Sequence, residues 1–299
     1  MRTIRNAANR KNPIAVFVTL FSLVAVLALQ ANAQDQGQYN PPPPPPAPGQ
    51  TAPPAAAAPA PSMNAKQLDQ LVARIALYPD PLLAQVLAAS TYSDQIADAN
   101  AWASEHGNLT GDALANAIRE DNLQWDPSVL ALLPFPSVLN MMAQDQQWTQ
   151  QLGDAVLAQR ADVMDAVQRQ RNNSYKYGYL RTNPYDSVVV SGGYVQILPV
   201  NPAYVYVPTY DPYLVYGPPR AGFVVGGAIH FGPAIVVGAA FAPWGWGHPY
   251  FSWGAHALYF DDVPWGRSWV NRGYYAHPYQ RPWAHGPGPR VERHDDRRR

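Results

Sequence analysis

Five prolines, at 79, 81, 127, 134 and 136, cut the one stretch of this chain with helical periodicity into short pieces. That stretch runs from Asn64 to about Arg171. Proline has no amide donor and drives the residue before it out of the α region, so each proline marks a helix boundary. Leu68, Leu71, Val72 and Ile75 fall at i, i+3, i+4 and i+7, one face of a first helix that Tyr78-Pro79 ends. Asp80 then reads as the cap of a second, with Pro81 at its first position and Leu82, Leu83, Val86 and Leu87 inward. A third starts near Ser93 and buries Ile96, Ala99 and Trp102. Thr110 caps a fourth, carrying Leu114, Ala117 and Ile118. Asp126-Pro127 repeats the cap-then-proline device for a fifth, and Pro136-Ser137 opens a sixth. The last, about Asp145 to Arg171, is the longest. Loops this short favour antiparallel neighbours.

The period changes after residue 171. Ser187–Val190 and Tyr194–Leu198 flank Gly192-Gly193, the pattern of a two-residue hairpin. Tyr204-Val205-Tyr206-Val207 alternates as a third strand, tyrosines on one face and valines on the other. Tyr213 to Tyr216 offers a fourth. Prolines 199, 202, 208 and 212 keep these strands short. The expected fold is therefore α+β: an irregular bundle of six to seven short helices over 64–171, then a small antiparallel β meander over 172–217 packed on it, with a low-complexity C-terminal tail.

Residues 218–260 form an apolar, glycine-rich segment with no Asp, Glu, Lys or Arg from Ala221 to Phe260. Gly222, Gly226, His230, Ala234 and Gly238 recur every four residues, a small-residue spacing used for close helix packing in membranes. Three readings stand: a β or loop segment that wraps the domain, membrane association through Gly222, Gly226, Ala234 and Gly238, or self-assembly through 221–242. Residues 261–299 are rich in aromatics, His and Arg, with the composition of a disordered tail.

The other end carries an export signature. Arg2, Arg5, Arg10 and Lys11 precede an apolar run from Ile14 to Leu29, and Ala31-Asn32-Ala33 supplies a small-x-small cleavage site. Residues 1–33 thus read as a signal peptide, and residues 34–63, with the run Pro41–Pro46, as an extended Pro/Ala-rich spacer. The expected location is periplasmic or secreted, with membrane association as a variant of it. Basic and acidic residues number 21 each. Loss of the four N-terminal cations leaves a mildly acidic chain, a poor partner for nucleic acid. An envelope protein or cell-wall component is the expected partner class.

Cysteine is absent, which excludes a thiol nucleophile, zinc–thiolate and iron–sulfur ligation, disulfides and an N-terminal lipid-bearing cysteine. The chain holds no G-x-S-x-G elbow, H-E-x-x-H, Walker A loop or strand-following G-x-G-x-x-G, and no cofactor is expected. Glu120-Asp121 and Asp261-Asp262 are adjacent acids. Glycoside chemistry needs two carboxyls facing each other across about 5–9 Å, which sequence neighbours rarely achieve. His230, His248, His256, His277, His285 and His294 have no compact ligand spacing; they read as solvated histidines or a loose metal site.

By these blocks the chain resembles a known family. Leu71–Tyr92 (LVARIALYPDPLLAQVLAASTY), Trp125–Leu132 (WDPSVLAL), Phe135–Leu139 (FPSVL), Trp148–Arg171 and Tyr204–Pro212 (YVYVPTYDP) are similar, in order, to the bacterial exported family known as domain of unknown function 3300. The resemblance spans about 64–217. It implies an envelope location and carries no reaction, substrate or site residue. The leading functional expectation is a non-enzymatic binding or scaffolding module. Its alternatives are an envelope hydrolase with a dispersed site using Asp80 or Asp126, and a membrane-associated assembly protein acting through 221–242. The expected interaction surface lies where Tyr78 and Asp80, with Trp125 and Asp126, meet the tyrosine strands at Tyr204, Tyr206 and Tyr210.

Overall fold

The computed structural model describes residues 60, 62–220, 222 and 225–270, all within one compact unit, Ala56–Arg299. The expected signal peptide, most of the spacer, and His277, His285 and His294 lie outside the described residues. The order is α1 (Ala65–Val72), α2 (Asp80–Ser90), α3 (Ser93–Glu105), α4 (Gly111–Glu120), α5 (Pro127–Leu130), α6 (Pro136–Gln144) and α7 (Gln146–Lys176), followed by short strands and turns to residue 264. The class is α+β.

Asn64 starts α1 with a reciprocal capping box: its Oδ1 accepts from the Gln67 amide, and Gln67 Oε1 accepts from the Asn64 amide. Leu68, Leu71 and Val72 are buried. The helix stops at Val72, well before Tyr78-Pro79, which corrects the expected boundary. The cause is long-range. The carbonyls of Ala73, Ala76 and Tyr78 accept hydrogen bonds from Tyr216 and Arg171, so this backbone turns toward side chains.

Helix α7 is 31 residues long and runs past Arg171 to Lys176. It breaks at Gln159 (φ −145°, ψ 50°). There the Gln159 side-chain amide holds both backbone groups of Met63, at 2.7 and 3.0 Å. At the same break the Leu157 carbonyl accepts the Trp269 amide at 2.9 Å. Nearer its start, Gly153 lies against the C-terminal end of α2, where an added Cβ would sit 2.2 Å from the Ser90 carbonyl oxygen.

Strands β1 (Asp186–Ser191) and β2 (Tyr194–Pro199) form the expected hairpin. Its turn needs positive φ twice, and Gly192 (59°) and Gly193 (85°) supply it. Both outer edges are partly closed by side chains. Gln168 of α7 pairs with the amide and carbonyl of Val195 like a strand, at 2.8 and 3.1 Å. Thr182 Oγ1 does the same for Val188.

The remaining strands do not extend this hairpin, which corrects the single meander. β3 (Tyr204–Val205) pairs with β6 (Ile235–Val236), and β4 (Pro208–Tyr210) pairs with β5 (Ile229–Phe231). Between β4 and β5, Pro212–Val215 is a helical turn, α8, capped by Asp211, not a strand. β7 (Pro249–Ser252), β8 (Ala257–Phe260) and β9 (Val263–Pro264) make a separate three-stranded sheet. Asp261 and Asp262 sit at positive φ in its β8–β9 turn.

The glycine-rich segment therefore supplies strands and 3-10 turns. Its period-four residues fall on a turn, a 3-10 turn, a strand and loops, so they share no helix face. Pro233 and Pro243 fit that outcome. Phe241, Trp244, Trp246, Trp253 and Phe260 enter the same core as Leu82, Leu132 and Val163. Trp265, 2% exposed, continues it under the Arg160 guanidinium, 4.5 Å from the ring centroid. Trp265 is thus packed in the core and Trp269 half-buried against it, while Val270 is 80% exposed; packed structure therefore runs past the tail's expected start at 261, and 271–299 lie outside the described residues.

Candidate functional site

Asp80 is the first residue of α2, and Pro79 takes the extended N-cap geometry in its place. The Asp80 carboxylate makes no capping bond, which corrects its expected role. It points into the core. Arg171 Nη1 donates to its Oδ1 at 2.5 Å, the Ile197 amide to the same oxygen at 3.3 Å, and Trp253 Nε1 to Oδ2 at 3.2 Å. Arg171 is wholly buried and also donates to the carbonyls of Ala76, Tyr78 and Val195. The Trp253 ring lies 5.0 Å from the guanidinium. One ion pair therefore ties α2, α7, the hairpin and the C-terminal segment together.

Asp126 behaves differently with the same local sequence. Its Oδ1 accepts from the Ser128 amide at 2.9 Å and the Ser128 hydroxyl at 2.6 Å, the expected cap of α5. It is also buried, with Tyr92 and Arg267 beside it. Trp125 is half-buried at the core's margin. No hydrogen bond among the described residues links this group to the Asp80 group.

The tyrosines also divide. Tyr78 is buried and donates to Met141 Sδ. Tyr210 turns inward, its hydroxyl accepting from the Leu77 amide and lying 3.3 Å from the hydroxyl of Tyr216, whose own proton goes to the Ala73 carbonyl; burial raises it well above the usual phenol value. Tyr204 and Tyr206 stay outward, Tyr206 packing on Tyr185 at 4.5 Å. Tyr78, Asp80, Trp125, Asp126 and the tyrosine strands therefore form no single surface. Among the described residues no three His, Asp or Glu side chains gather as a metal site would.

The sequence motifs missed a large concavity. A groove of about 530 Å³ runs between the α3–α4 connection, the α5–α6 turn and the β3–β6 and β4–β5 pairs. Leu109, Leu114, Leu133, Val207 and Ile235 line it. Pro134, Pro136 and Pro233 add ring surface without amide donors. Thr110, Ser137, Thr209 and His106 provide its polar points. The His106 ring is fixed by stacking on Trp102 at 3.9 Å. A groove of this size and lining is of the kind that receives apolar ligands. The valine face of the third strand was the available signal: Val207 borders the groove while Tyr206 faces away.

Fold and sites together define an α+β domain clamped by a buried Arg–Asp pair, with an apolar groove at its side. The chain belongs to the family described as protein of unknown function DUF3300, whose profile matches residues 64–280. Over 130 residues it is 42% identical to the uncharacterized protein YacH of Escherichia coli (strain K12), covering 44% of this chain and 21% of that relative. The chain thus spans about a fifth of that protein's length. No solved structure matches it.

Two buried carboxyls give the domain a measurable pH response. Burial pushes Asp126 up to about 6, against the Ser128 bonds that hold it down. Burial pushes Asp186 up to about 7, opposed by Arg171 and reinforced by Asp80. Unfolded aspartates titrate near 4, so the folded chain binds more protons between these values, and stability falls as pH rises from about 4 to about 7. Asp126→Asn and Asp186→Asn should each flatten that fall in melting curves recorded across this range. An unchanged slope in both variants refutes the assignment.

Proposed function

We propose that this protein is an exported envelope binding module that performs no chemistry of its own and holds an apolar ligand in the groove beside His106. The observation that carries this reading is the groove itself. It is open, apolar and walled by proline rings that offer no backbone donor. The export signature and spacer support the location. The state of Asp80 counts against a hydrolase built on that residue, because both of its oxygens are bonded inside the core. A carboxylate so placed has no access to water or substrate.

Ala234, exposed on the groove wall, provides the test. Ala234→Trp should fill the groove and weaken binding of an apolar fluorescent probe about tenfold, roughly 1.4 kcal/mol. The unfolding midpoint should move little, because an exposed substitution typically changes stability by under about 0.5 kcal/mol. Equal probe binding by the variant and the parent overturns the site. Fractionation that leaves the mature chain in the cytosol overturns the location.

A further inference from the structure

The groove beside His106 has no Asp, Glu, Lys or Arg on its walls, but carboxylates stand around its α3 end. The Asp121 carboxylate lies 3.9 Å from His106 Nε2 and accepts from Trp102 Nε1 at 2.6 Å. Asp94, Asp98 and Glu105 follow at intervals of four and seven, so they share one stripe of α3. All three are exposed, and none forms an ion pair among the described residues. Arg119, the nearest cation in sequence, is engaged elsewhere: it donates to Asn116 and the Ala240 carbonyl and covers the Trp244 ring. An occupant with apolar side chains and positive charge is the complement of such a groove.

A segment of that kind follows the described part of the chain. From Asn271 to Val291 it holds Arg272, Arg281 and Arg290 and no acid, with Tyr274, Tyr275, Tyr279 and Trp283 among them. Its starting point is fixed near the first end of α3. There Arg267 covers the Tyr92 ring at 4.1 Å, and its Nη2 donates to the Thr91 carbonyl at 3.4 Å. The groove lies at the other end of α3, where Ala103, His106 and Gly107 form part of its wall. Thirteen residues of helix separate the two ends, about 20 Å. A chain spans at most about 3.3–3.6 Å per residue. Tyr275, six residues past Trp269, can therefore just cover that distance, and Trp283 can exceed it.

We infer that residues 271–283 run along the acidic stripe of α3 and seat Tyr279 and Trp283 in the groove, so that the chain covers its own binding site. The inference rests on the groove being a binding site and adds its regulation: an apolar ligand enters by displacing the chain's own aromatic side chains. Arg272 and Arg281 then face Asp94, Asp98 and Glu105. With the groove covered nine-tenths of the time, a ligand binds about tenfold more weakly than to the open groove.

The chain has no cysteine, so introduced pairs report the seat directly. In the full chain, Ala234→Cys with Ala284→Cys should form an intramolecular disulfide under oxidised glutathione. Val190→Cys, at an exposed position of β1, with Ala284→Cys should not. The second measurement is affinity for an apolar fluorescent probe. The full chain carrying Tyr279→Ser and Trp283→Ser should bind it about tenfold more tightly than the parent, and added salt should narrow that gap by screening the arginines. A disulfide yield no higher than the Val190 control, or equal probe affinity in parent and variant, overturns the inference and leaves the ligand reading standing. A disulfide that links two molecules gives the groove to a second copy and overturns it likewise. An intramolecular disulfide with no probe binding by either chain does the reverse: the groove is then the seat of residues 271–283 and the ligand reading falls.

Discussion

Arg171→Met should remove most of the stability of this domain. Breaking a buried ion pair by deleting one partner typically costs about 3–5 kcal/mol, set against about 5–15 kcal/mol for a whole domain. The variant leaves Asp80 charged or forced to protonate inside the core. It also strips donors from the carbonyls of Ala76, Tyr78 and Val195. A paired variant separates these costs. Asp80→Leu with Arg171→Met removes both charges, and buried pairs replaced by apolar residues are often neutral. Here the carbonyls of Ala76 and Tyr78 remain unserved, at about 1–3 kcal/mol for each buried group, while Val195 keeps the Gln168 amide. Urea unfolding should therefore show the paired variant still well below the parent. Full recovery would mean that the charges, and not the carbonyls, are what Arg171 is there to satisfy.

Gly153→Ala should also be costly, and its sign is informative. An exposed helical glycine replaced by alanine gains about 0.5–1 kcal/mol. Gly153 is different because the new Cβ would meet Ser90 O at 2.2 Å, Ser90 C at 2.7 Å and Thr91 Cα at 3.0 Å. All three are backbone atoms, which cannot rotate away. Helix α7 must lift from α2, and overpacking of this kind costs about 1–3 kcal/mol; the backbone contact places the loss at the upper end. Denaturation of Gly153→Ala that matches or exceeds the parent would refute the close crossing of α2 and α7.

What was readable in the sequence was local. The Gly192-Gly193 hairpin, the Pro127 and Pro136 helix starts and the Asp126 cap depend on neighbours a few residues away. Asp80-Pro81 presents the same local signal as Asp126-Pro127 and means something else. Its partners are Arg171 and Trp253, 91 and 173 residues distant. A hint did exist: Arg171 follows Val163 and Val167 at intervals of four, on the apolar stripe of α7. A lone cation on a buried stripe asks for an anion, and only the fold says which one. The glycine-rich segment misled for a related reason. Spacing by four is necessary for a helix face but does not make a helix, and here β3 and β4 offered edges that 229–236 could pair with. The groove left no motif because three separate turns build its walls.

The break in α7 at Gln159 has a mechanical consequence. Met63 enters the domain on the Gln159 side chain, and Trp269 leaves it on the Leu157 carbonyl two residues away. Entry and exit thus share one anchorage. A pull between the residues before 62 and those after 270 would be borne by this joint and would bypass the Arg171–Asp80 clamp. Joining 63 to 269 by a short linker and opening the chain elsewhere should accordingly leave the rest of the domain able to fold.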